Sequence, residues 1–164
     1  MSNQLTPWDE RAAVAANMLN PALIAAVIAA ASYRFERESG NGMPWEFSFL
    51  VTPMALHSET RKVAPNRITS NLPHWAEEYP IIQAGLARRA SGLAPYVREG
   101  LRWGLGARSL TLESGILHAD VPGSLPKSGD AELRAILGTA GFLGRWFSKV
   151  DSPATVFALL GVTP

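Results

Sequence analysis

The chain has 164 residues, 47% hydrophobic and 18% charged, with 15 Lys+Arg against 14 Asp+Glu and no cysteine. This composition excludes a disordered chain, a disulfide scaffold, a cysteine nucleophile and every cysteine-based metal centre. The near-neutral total gives no whole-chain attraction to nucleic acid or to a membrane surface, and a single domain over 1–164 is expected.

The start, Met1-Ser2-Asn3-Gln4, lacks the basic and apolar regions of a signal peptide. Thr6-Pro7 opens a helix expected to reach Leu19, with Asp9 and Glu10 in its first turn. Asn20-Pro21 starts a second helix, with Leu23, Ile24, Val27 and Ile28 at helical spacing, ending near Arg34–Ser39 before Gly40-Asn41-Gly42. Its longest apolar run, 22–31, is about half of the ~20 residues a spanning helix needs, so a soluble cytoplasmic protein is expected. Pro44 begins an apolar stretch, Trp45–Leu56, which length favours as a buried helix with Pro53 inside it; Phe47–Val51 also fits a strand. Residues 57–68 are polar, basic and expected to be irregular.

Thr69 or Ser70 caps a short helix to Glu78, Pro80 starts another, and Pro95 starts a third that Gly104 and Gly106 end. Leu110 and Leu112 alternate with Thr111 and Glu113; Ser114-Gly115 is a turn, and Ile116–Ala119 is the return strand. Residues 121–129 read as a linker. Asp130 caps a long helix through Trp146 and Phe147, and Ser152-Pro153 opens a last short one closed by Gly161. The expected fold is mainly α with a small β-hairpin: N-terminal helices in 1–60, a winged-helix-like segment in 66–120 and C-terminal helices in 130–164.

Charge is uneven. Residues 61–108 hold eight basic and three acidic groups, while 1–60 hold three basic and six acidic. Arg88, Arg89, Arg98, Arg102 and Arg108 are therefore the candidate contacts for nucleic acid or an acidic partner. Arg98 and Arg102 share a face if their helix forms. Arg145 beside Trp146 adds a candidate anchor on the C-terminal helix; the larger expectation for that helix is core closure. Only a few arginines can face one groove, so DNA binding by the isolated chain is expected to be weak and salt-sensitive.

Candidate catalytic groups are sparse. His57, His74 and His118 lie in different segments, and Gly100, Gly104 and Gly106 lack the residues of a phosphate loop. The expectation is a non-enzyme without metal, nucleotide or other cofactor. Two rivals stay open: a free-standing winged-helix DNA-binding regulator, and an enzyme with a site around His57 and Arg61.

Several phrases in order cover nearly the whole chain: Trp8-x-Glu10-Arg11, Leu19-Asn20-Pro21-Ala22-Leu23, Gly42-Met43-Pro44, and Leu56-His57-x-x-Thr60-Arg61. Then come Thr69-Ser70-Asn71-Leu72 with Trp75, Arg88-x-x-x-Gly92-Leu93-x-Pro95-Tyr96-x-Arg98-Glu99, Leu143-Gly144-Arg145-Trp146-Phe147 and Ser152-Pro153-Ala154-Thr155. In this the chain resembles the middle component of bacterial three-component ABC systems. The resemblance implies a non-catalytic adaptor between a chromosome-maintenance-like ABC ATPase and a variable third component. It further implies action against phage or other foreign DNA, with DNA a contact inside the complex and no membrane. The family supplies no catalytic residues to carry over.

Overall fold

The computed structural model describes residues 5–121 and 130–163, so the expected linker lies, past Val121, outside the described residues. Helix α2 (Pro21–Ser39) is central, packed between α6 (Pro80–Gly106) and α7 (Ala131–Phe147). The Asn20 side chain accepts from Ala22 N–H at 2.8 Å, Pro21 occupies the first turn, and Gly40 closes the helix at φ 77°. Ile24, Val27, Ile28, Ala31 and Phe35 fill the core from α2, and its alanines let both neighbours approach.

The approach is closest at glycines. A Cβ on Gly100 would meet Ile24, and one on Gly104 would lie 2.7 Å from Leu110 Cδ1 and 3.3 Å from Ala25. A Cβ on Gly144 would collide with the backbone of Ala31. Gly104 therefore works inside α6 as a contact surface; the helix ends only at Gly106.

The fold is mainly α with one three-stranded antiparallel sheet, in the order β1 (Met43–Pro44), β3 (Ile116–Ala119), β2 (Leu110–Glu113). The expected hairpin forms, with Leu112 opposite Leu117. Ser114 at φ 51° and Gly115 at φ 82° make its two-residue turn, in which both central residues have positive φ. Serine is poorly suited there, so Ser114→Asn should stabilise the protein by about 0.5 kcal/mol, read as a raised thermal midpoint. Strand β1 was not expected. Buried Met43 and Pro44 pair with Leu117 and Ile116, a long-range match with no local signature.

The remaining elements are α1 (Ala13–Met18), α3 (Ser48–Leu56), α4 (Ser58–Val63), α5 (Leu72–Glu78) and α8 (Pro153–Leu159). Residues 47–51 are helical from Ser48, so the strand alternative does not form. The cap of α5 is Asn71, one residue later than expected; its side chain accepts from His74 N–H. Asp130 and Ser152 cap α7 and α8 as expected.

Four expectations are corrected. First, residues 6–19 do not form one helix. A 3-10 turn at Trp8–Glu10 is followed by extended backbone at Arg11 and then α1, with no buried residue in either element. Without packing, a short helix is marginal, and Arg11 is held elsewhere.

Second, residues 57–68 are not irregular throughout, because α4 forms on a histidine cap. His57 Nδ1 accepts from Thr60 N–H at 3.2 Å, and Thr60 is buried.

Third, Pro95 does not divide the chain: α6 is one helix of 27 residues. Leu86, Ala90, Val97 and Leu101 keep one helical phase across the proline, and all are buried. The carbonyl that Pro95 deprives of an N–H belongs to Ser91, which is exposed to water. The three helices of a winged helix are therefore not realised in 66–120.

Fourth, the uninterrupted run 22–31 understated the apolar length. Among the described residues, Ala13–Ser39 holds an 18-residue window apolar enough by composition to cross a membrane, ahead of the charged Arg34, Glu36, Arg37 and Glu38. It is broken between α1 and α2, and α2 buries nine residues inside the protein.

Candidate partner-binding surfaces

Helix α6 carries Arg88, Arg98 and Arg102 on one exposed face, within about 80° around the axis and about 21 Å along it. Arg108 follows the helix, exposed and at φ 59°. None of these four has a carboxylate partner among the described residues. Glu99, on the same side of α6, is engaged by Arg11, which donates to both its carboxylate oxygens at 2.8 Å. Arg11 also donates to the Thr6 carbonyl and lies over the rings of Trp8 and Tyr96. This clamp fixes the N-terminal segment to α6. It joins residues 88 apart, a pairing that no local pattern reveals.

Arg98 stands over the Phe49 ring at 5.7 Å, and Trp45 meets the same ring edge-on at 5.6 Å. Trp45 N–H donates to the Gly115 carbonyl, so the hairpin turn, α3 and α6 converge at a corner where Trp45 stays 37% exposed. Arg89 is different. It donates to the Ile82 carbonyl at 2.9 Å, and burial pushes its guanidinium below the usual arginine range.

Near the end of α7, Arg145 and Lys149 share Glu38 of α2, at 3.0 and 2.6 Å. The hydrogen bond from Lys149, then that from Arg145, holds the Glu38 carboxyl below its usual range. Arg145 remains 43% exposed. Trp146 is in the core at 2% exposure; its indole donates to the Ser70 carbonyl at 2.7 Å, and its ring meets Trp75 edge-on. Next to it an open groove of about 550 Å³ runs between the start of α5 and α8, lined by Thr69, Asn71, Lys149, Asp151 and Leu159 among others.

His57, His118 and Arg61 are tied to structural partners, and His74 is exposed on α5. His57 caps α4, His118 Nδ1 lies 3.1 Å from Glu36, and Arg61 joins the Ala55 carbonyl to Glu132. Among the described residues, no group of three or more His, Asp or Glu is arranged to hold a metal ion.

His57 titrates below the ordinary histidine range, first because of desolvation and then because of the Arg89 charge. Its folded form favours neutral imidazole, so the unfolded chain takes up the proton first. Stability contributed by His57 is present above about pH 6.5 and is lost as pH falls through the folded value. Protonation also removes the Nδ1 acceptor that caps α4. His57→Asn keeps a capping acceptor without the titration. Urea unfolding at pH 7.5 and pH 5 should show a smaller acid loss in that variant than in the wild type.

No curated protein and no solved structure matches the chain. A family model does, over residues 8–164: ABC-three component (ABC-3C) system Middle Component 3. That span takes in the Arg11–Glu99 clamp, the His57 cap and the Trp146–Ser70 bond, all built from phrases that carried the resemblance. The chain belongs to the Middle Component 3 family of ABC-three component systems.

Proposed function

We propose that this chain is a non-catalytic cytoplasmic adaptor that couples the ABC ATPase of its system to the third component, in defence against phage or other foreign DNA. The match to a middle-component family over 8–164 carries this reading. The exposed arginines of α6, without acidic partners among the described residues, support it, because an adaptor needs surface that its own fold does not satisfy. ATP binds the partner ATPase in this scheme. Arg88, Arg98, Arg102, Arg108 and Arg145 are the proposed contacts, with DNA as a further contact inside the assembled complex. Arg89 and Trp146 play supporting roles, since Arg89 Nη2 and the Trp146 indole already serve the fold.

Phage challenge tests the biological half. Cells carrying the complete system should survive, and cells lacking only this chain should lose protection. Equal survival would contradict the reading.

Arg145→Glu tests the contact. The variant should stay folded by circular dichroism, since Lys149 still pairs with Glu38. It should also weaken ATPase binding by about 2 kcal/mol. Normal binding by the folded variant would remove Arg145 from the interface.

A further inference from the structure

The corner where α3, α6 and the hairpin turn meet combines features that the fold does not require. Trp45 is 37% exposed beside the half-buried ring of Phe49, and Arg98 is exposed over that same ring. Arg102 lies one turn further along α6, exposed and without an ion pair among the described residues. Tryptophan and arginine are the residue types that dominate binding energy at protein interfaces. Here the arginine is held in place by the Phe49 ring, which reduces the entropy lost on pairing.

We propose that Trp45, Phe49, Arg98 and Arg102 dock an acidic segment of one of the other two components of this chain's ABC system. An apolar side chain seats against Trp45, and carboxylates pair with Arg98 and Arg102. The proposal rests on the adaptor reading and specifies its partner chemistry. Charge decides the occupant: the face is cationic, and Glu99 beside it is already neutralised by Arg11. A nucleic-acid backbone fits less well. Glu46 follows Trp45, and Glu113 stands at the turn, so two carboxylates border the corner and repel phosphates. The chain as a whole carries a net charge of only +1. A protein partner can answer both signs; a phosphate backbone answers one.

The test measures binding of the purified full-length chain to each of the other two components, and to a 20-base-pair DNA duplex. The variants are Arg102→Glu, Trp45→Ala and, as an exposed control outside the corner, Arg67→Glu. Among the described residues Arg102 has no ion pair to lose, so its charge reversal leaves the fold intact, which the thermal midpoint checks. Arg102→Glu and Trp45→Ala should each weaken binding to one component by about 30-fold, with Arg67→Glu unchanged. Wild-type binding to that component should also weaken as salt rises. If both corner variants bind both components like the wild type, docking lies elsewhere and the adaptor reading stands. If the wild type binds neither component, the adaptor reading fails and this proposal with it. If the variants lose the duplex but keep both proteins, the corner is a nucleic-acid surface and the proposal is overturned.

Discussion

Gly144→Ala is expected to destabilise the protein by about 3 kcal/mol, lowering the thermal midpoint by about 10 °C. The added methyl points into the Ala31 backbone, with the Ala31 carbonyl oxygen, carbonyl carbon and Cα the three nearest atoms. A flexible side chain could swing away from it, but two helix backbones must separate. Separation would open the α2–α7 contact around Ala140, Leu143 and Phe147, all buried. Gly138→Ala, on the same helix, is the control. Nothing lies within 4 Å of its added methyl, so it should gain about 0.5–1 kcal/mol from helix propensity. Opposite signs at two glycines six residues apart would establish close approach as the reason for Gly144. Equal, small effects would mean that α2 and α7 stand further apart than described.

The second large effect is at Trp146. Trp146→Ala should cost about 3–5 kcal/mol, because it removes a fully packed ring that joins α7 to Trp75 and stacks on Phe147. Trp146→Phe keeps most of the apolar volume but leaves the Ser70 carbonyl without its indole donor, at a cost of about 1–3 kcal/mol. Urea denaturation should rank the wild type above Phe and Phe above Ala. A Trp146→Ala protein of normal stability that has lost partner binding would show that the indole serves an interface.

Local chemistry was legible in the sequence. Asn20, Asp130 and Ser152 each place an acceptor where a helix begins, Pro21 and Pro153 add a rigid first turn, and all three caps form. Ser114-Gly115 between alternating strands likewise gave the hairpin.

Misreadings arose where a local signal competed with packing. Pro95 reads as a helix start, whereas the phase of Leu86, Ala90, Val97 and Leu101 continues through it. Burial of that stripe outweighed one lost hydrogen bond. Gly104 reads as a helix end, yet Gly100, Gly104 and Gly144 are contact surfaces, a property that depends on what lies opposite. The pairing of Met43 with Leu117 and the Arg11–Glu99 clamp link distant segments, and one sequence carries no register for them.

The candidate surface was half legible. Charge counting locates Arg98 and Arg102, but Trp45 and Phe49 read only as parts of an apolar stretch, helix or strand. Their place beside Arg98 comes from the α3–α6 packing.

The claim that this chain links two other proteins is tested most directly by purifying the tagged ABC ATPase from cells expressing the whole system, with and without this chain. The account predicts that the third component co-purifies in stoichiometric amount when the chain is present and is absent when the chain is deleted. Recovery of the third component at equal yield without the chain would contradict it.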